Sequence, residues 1–92
     1  MKLINVNPAI TQTYGSVPPT VEQWLKRWVI TARAATWWSE QHVMASYPAV
    51  ACTPNGRADF SCGQSYHLGT DIDYALGHVD VEGVYDPAGK RI

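Results

Sequence analysis

Two cysteines, three histidines and eight carboxylates are the side chains here that could do acid–base, nucleophilic or metal chemistry. Nucleophilic catalysis needs an activated thiol or hydroxyl, a base, and a group that orients the base. Cys62, His67 and Asp71 occur in that order, and Cys52 with His42 is a second pairing. Their spacing fixes no geometry, and such triples arise by chance in a chain of this composition. The sequence contains no G-x-S-x-G, H-E-x-x-H, G-x-x-x-x-G-K-[ST] or G-x-G-x-x-G pattern. Cys52 and Cys62 have nine residues between them and belong to no C-x-x-C pair, unlike the tight paired ligands of structural zinc sites. They read as small apolar side chains in or beside a sheet.

The carboxylates are unevenly placed. Residues 1–57 hold Lys2, Lys26, Arg27, Arg33 and Arg57 against Glu22 and Glu40, a balance of +3. Residues 58–86 hold Asp59, Asp71, Asp73, Asp80, Glu82 and Asp86 with no Lys or Arg, a balance of −6; Lys90 and Arg91 return the total to −1. On a strand, alternate residues share a face. His78, Asp80 and Glu82 therefore fall together, and so do Asp71 and Asp73. Three readings compete: a solvated sheet face with Val79 and Val81 turned inward, an acidic docking surface for a basic groove, and a metal site. Same-face neighbours on one strand stand roughly 6.5–7 Å apart, wide for one ion unless other elements contribute.

The elements that must position these groups follow from the pattern of apolar residues and breakers. The chain has 92 residues, of which 46% are hydrophobic and 16% charged. That size and mix point to a single domain over 1–92 and exclude disordered, collagen-like and low-complexity classes. Lys2–Val6 suits a first strand, and Pro8, Gly15, Pro18 and Pro19 mark a loop. Thr20 and Gln23 form a capping box, and Glu22 with Lys26 adds an i,i+4 pair. No Gly or Pro then intervenes before Pro48. One helix over 21–46 would be about 39 Å long, and a break near Ser39 is the alternative. Asn55–Gly56 between Val50–Thr53 and Ala58–Cys62 signals a hairpin. Asp71–Leu76 and His78–Glu82 alternate with opposite parity, so a turn or bulge at Gly77 would restore one apolar face. Val84–Ile92 reads as a tight turn with a short closing strand. The predicted fold is α+β: one long helix, broken or not near Ser39, on an antiparallel sheet of four or five short strands.

Spacing residues 100° apart groups Glu22, Lys26, Arg33 and Glu40 as a polar stripe. Trp24, Trp28, Ala35 and Trp38, flanked by Val21, Leu25, Ala32 and Val43, form the expected core face. A third stripe, Ile30, Ala34, Trp37, Gln41 and Met44, lies beside Arg33. Either the N-terminal loop with Tyr14 and Val17 covers it, or it is a partner surface, since Trp, Met and Arg are enriched at interfaces.

The N-terminal MKLINVNPAITQT does not have the form of a secretory signal, so the chain is expected to begin here and to work in the cytosol with reduced cysteines. No apolar run approaches the roughly 20 residues of a membrane span. A net charge of −1 disfavours general nucleic-acid or anionic-membrane binding, although Lys26, Arg27 and Arg33 leave direct nucleic-acid contact open. Small size leaves little room for a deep pocket of the usual 300–1,000 Å³. The expected function is non-enzymatic and cofactor-free. The chain would bind a protein or ribonucleoprotein complex with a basic surface, anchored by Trp37, Arg33, Ile30 and Met44 and steered by Asp71, Asp73, Asp80 and Glu82. Its concrete form would be an inhibitor of a nucleic-acid-handling complex, such as a virus-encoded inhibitor of a CRISPR effector. The alternatives are a structural or self-associating subunit, with strand edges near Lys2 and Ile92, and a small Cys/His- or metal-dependent enzyme.

Overall fold

The computed structural model describes residues 9–34, 37–53 and 55–92. The chain is α+β, with helices on one side of an antiparallel four-stranded sheet. A short helix α1 (Ala9–Gln12) and a 3-10 turn (Tyr14–Ser16) lead into α2 (Pro19–Ala34) and α3 (Glu40–Ser46). The strands β1 (Ala51–Cys52), β2 (Arg57–Gly63), β3 (Tyr66–Asp73) and β4 (His78–Tyr85) follow in the spatial order β1-β2-β3-β4. The predicted strand over 2–6 lies outside the described residues.

The long helix is two helices. Helix α2 starts at Pro19, whose fixed φ suits a first helical position. Thr20 therefore sits inside the first turn, and its hydroxyl accepts from Gln64 Nε2 on the β2–β3 turn. Glu22 and Lys26 form the expected ion pair at 3.3 Å. Helix α3 restarts after Ser39, which is fully extended, so the break near Ser39 is the version that holds. Val21, Leu25, Trp28 and Ala32 of α2 and Val43 of α3 are buried, as their spacing predicted.

The break overturns two assignments. Trp37 was expected on a partner surface and Trp38 in the core. Trp37 is 1% exposed and Trp38 53% exposed. Neither belongs to a helix, so the 100° rotation that separates helical neighbours no longer applies to them. Trp37 turns into an aromatic cluster, stacked on Phe60 at 6.2 Å and edge-on to Tyr47 at 6.3 Å between ring centroids. Its indole N–H donates to Ser46 Oγ at 3.3 Å. Trp28 meets Phe60 edge-on at 5.4 Å. Trp24 is half-buried at the cluster's margin, against Tyr47.

The sheet is built by three tight turns. Asn55–Gly56 joins β1 and β2, with Gly56 at φ +96° and Ile72 N donating to its carbonyl at 2.7 Å. The β2–β3 connection is Gln64–Ser65, both at positive φ (51° and 63°), the backbone that a two-residue hairpin requires. Strand β3 ends at Asp73, three residues before the predicted Leu76, and the chain turns through residues 74–77 with Gly77 at φ +68°. That turn restores the apolar parity: Ile72, Val79 and Val81 all face the helices and are buried. A second parity reset was not foreseen. The register passes from Gly69 opposite Gly83 to Thr70 opposite Val81, leaving Glu82 as an extra, bulged residue. Beyond Tyr85, Asp86 accepts from the amides of Ala88 and Lys90, and Arg91 pairs back with Tyr85.

Candidate functional site: the open face of the sheet

Alternation assigns every strand residue to one of two faces. Ala58, Phe60, Leu68, Thr70, Ile72, Val79, Val81 and Val84 face the helices and are buried. Thr70 is the polar member, and its hydroxyl donates to the Ala58 carbonyl at 2.8 Å. The opposite face is a grid set by the register. Ser61, His67 and Tyr85 form one row across β2, β3 and β4. Asp59, Gly69 and Gly83 form the next, and Arg57, Asp71 and Asp80 the third. Asp73 and His78 close the grid.

Arg57 organises this face. The sequence placed it with the basic N-terminal half, yet the hairpin lays it among carboxylates. Its Nε meets Asp59 Oδ1 at 3.1 Å, and its Nη1 meets Glu82 Oε2. Tyr85 donates its hydroxyl to Glu82 Oε1 at 3.2 Å. Burial works against the Arg57 charge, but Asp59, hydrogen bonds to Tyr85 and Asp59, and the nearby charge of Asp71 hold the guanidinium above its ordinary pKa. The glycine row makes room for it. A Cβ on Gly69 would stand 2.8 Å from Arg57 Nη2 and 3.0 Å from Tyr85 Cε2, and one on Gly83 would stand 2.7 Å from Arg91 Nε. Two arginine side chains thus lie across a glycine floor.

Glu82 and Asp59 are therefore both ion-paired to Arg57, whereas Asp71, Asp73 and Asp80 are exposed and in no salt bridge among the described residues. Asp73 Oδ1 accepts from Leu76 N at 3.1 Å, bracing the β3–β4 turn. Asp71 and Asp80 are directly opposite each other. Like charges in that position destabilise a sheet. Beside them, between the two turns at this end of the sheet, lies an open depression of about 510 Å³ lined by Asn55, Asp71, Asp73 and Asp80. Among the described residues, no group of three or more His, Cys, Asp or Glu side chains is arranged to hold a metal ion.

The helical candidates are elsewhere. Ile30 is 70% exposed and Met44 45%, and Arg33 is exposed, while Trp37 is withdrawn into the core. Ile30 lies on the side of α2 away from the buried stripe of Val21, Leu25, Trp28 and Ala32. The structure thus separates the apolar helical residues from the carboxylates and does not join them into one contact surface. The Cys62, His67, Asp71 triple is also split. Cys62 is buried on the helix side, where desolvation pushes its thiol up to about 12. His67 and Asp71 face the open side. Cys52 pairs with Ala58, four residues along β2 from Cys62, about 13 Å at the strand rise, beyond disulfide reach. Both thiols are free. No helix among the described residues is long and apolar enough to cross a membrane.

Comparison with protein-family models and with curated proteins gave no match to this chain.

Proposed function

We propose that this chain is a non-enzymatic binding protein whose open sheet face docks on a basic, phosphate-binding surface of a nucleic-acid-handling complex and blocks it, as a virus-encoded inhibitor of a CRISPR effector would. The observation that carries this reading is the Asp71–Asp80 pair with Asp73. Three exposed carboxylates stand on a rigid sheet, without salt bridges among the described residues, in an arrangement that works against folding. Same-face carboxylates on β3 repeat every 6.5–7 Å or so and present a row of fixed negative charges, which speeds encounter with a basic groove and sets its orientation.

The test is competition. The immobilised chain is exposed to a nuclease-treated bacterial lysate, and retained proteins are challenged with duplex DNA or RNA. Expected is release of the retained complex by the polyanion, and at least tenfold weaker retention by the Asp71→Asn, Asp80→Asn double variant. Retention indifferent to both would overturn the reading.

A further inference from the structure

The outward face of α2 is a second charged surface, opposite in sign to the open face of the sheet. Helix α2 packs on β2, and its buried stripe is Val21, Leu25, Trp28 and Ala32. The residues opposite that stripe therefore point away from the sheet. Ile30 stands among them, 70% exposed. Helical residues three apart in sequence lie about 60° apart around the axis, so Arg27 and Arg33 flank Ile30 on either side. Both arginines are exposed and in no salt bridge among the described residues. Lys26, Arg27 and Arg33 stand against Glu22 as the charges of α2, three bases to one acid, and that acid is already paired with Lys26.

The complement is on the same chain. The depression of about 510 Å³ at the end of the sheet is lined by Asp71, Asp73 and Asp80 and by no Lys or Arg, with Tyr74 and Ala75 in its apolar part. Asp73 and Asp80 are diagonal neighbours on β3 and β4, about 7–8 Å apart. Arg27 and Arg33 are about 9 Å apart along α2, a span that two long, flexible side chains adjust to the carboxylates. The outward face of α2 and the open face of the sheet are on opposite sides of the molecule. One chain therefore cannot bring its own arginines to its own carboxylates.

We propose that the outward face of α2 docks on the open sheet face of a second copy of this chain. Ile30 enters the depression, and Arg27 and Arg33 meet Asp71, Asp73 and Asp80 around it. Charge complementarity selects this occupant, because every copy carries both the unpaired arginines and the unpaired carboxylates. The two patches differ, so the contact is head to tail. Each added copy leaves one face of either kind free, and assembly continues as a series or closes as a ring; a two-fold pair is not its product. One helix face is small beside the interfaces of permanent oligomers, so association is reversible and grows with concentration. The inference shares Asp71, Asp73 and Asp80 with the proposed function, and a docked copy hides them from any other partner.

The test is sedimentation velocity of the intact chain over a hundredfold range of concentration. Expected is an average mass that rises past the dimer at low salt and returns to the monomer at high salt. A monomer throughout, or a dimer as the end point, would overturn the proposal. Amide NMR over the same range should move the resonances of residues 27–33 and 71–80 together; movement of one set alone would rule out head-to-tail contact. Arg27→Glu with Arg33→Glu should give a monomer, and so should Asp71→Lys with Asp80→Lys. An equimolar mixture of the two variants should associate again, since reversing both signs restores every contact, and a mixture that stays monomeric would count against the pairing. If the lysine variant fails to fold, Ile30→Ser decides: association should weaken at least threefold, and unchanged association would overturn the docking of Ile30. A chain that stays monomeric while duplex DNA shifts residues 27–33 would replace the second copy with a nucleic acid. Arg27→Glu with Arg33→Glu keeps the carboxylates and should retain the lysate complex as before, which separates failure here from failure of the proposed function.

Discussion

On its inner side the sheet presents Ala58, Phe60, Leu68, Ile72, Val79, Val81 and Val84, buried beneath helices, with α2 packed on β2 and α1 on β4. On its outer side the same strands present Arg57, Asp59, Asp71, Asp73, Asp80 and Glu82, most of them in water. The inner side is over-determined, since rings from α2, Trp37, Tyr47 and Phe60 interlock and each of them meets at least two others. The outer side is under-compensated, since Arg57 forms ion pairs with Asp59 and Glu82 and reaches Asp71 only through its nearby charge, while Asp80 stands opposite Asp71. A sequence that settles its inner face by packing and leaves charge unsettled on its outer face has put stability and recognition on opposite sides of one layer.

The largest effect that could break this contrast is at Trp37. Trp37→Ala should cost about 3–5 kcal/mol in chemical denaturation, whereas Trp38→Ala should cost less than about 1 kcal/mol. Similar losses at both would show that the two indoles are not divided between core and surface. Gly56→Ala comes next. Its Cβ would stand 2.5 Å from the Ile72 carbonyl oxygen at a positive φ, and neither backbone can yield. A loss of about 2 kcal/mol is expected, read from the unfolding midpoint.

Tyr74→Phe sharpens the contrast from the other direction. The Tyr74 hydroxyl is buried with no hydrogen-bond partner among the described residues, so its removal should stabilise the fold by about 1 kcal/mol. It also bears on pH. Burial first, then the charges of Cys52 and Glu40, push the Tyr74 phenol up to about 12, and burial does the same for the Cys62 thiol. In the unfolded chain these groups ionise near their ordinary values of 10.0 and 9.0. The folded state thus holds protons that the unfolded state releases. Their contribution is complete below about pH 9 and is lost as pH rises toward 12. Melting temperature should fall over that window, and less steeply in Tyr74→Phe. The smallest effect is at Asp80. Asp80→Asn relieves the opposed pair and should raise stability by about 0.5 kcal/mol while weakening partner retention. Lower stability would show that the pair is not in conflict.

The helix periodicity and the hairpin chemistry made much of this fold legible. Val21, Leu25, Trp28 and Ala32 declared the buried stripe, Asn55–Gly56 declared a turn, and the parity change around Gly77 declared another. What stayed hidden had no local signal. Gln64–Ser65 adopts a glycine-like backbone without a central glycine. The bulge at Glu82 is visible only when β3 and β4 are set side by side. Trp37 and Trp38 exchanged roles because a helical rotation was carried across a break that nothing in residues 34–38 announces. At the site, alternation grouped Asp71 with Asp73 and, separately, His78 with Asp80 and Glu82; that the two groups share one face follows from the β3–β4 register. Arg57 was missed because its partners Asp59 and Glu82 are brought to it by register, although the Asn55–Gly56 hairpin set Arg57 at the head of β2 and so near Asp59.

The two thiols have a practical consequence. Cys62 is sealed and its sulfur stays protonated, whereas Cys52 is half-buried on β1. A maleimide dye should therefore attach slowly but selectively at Cys52, next to the strand edge, and turn the native chain into its own fluorescent reporter without an engineered cysteine.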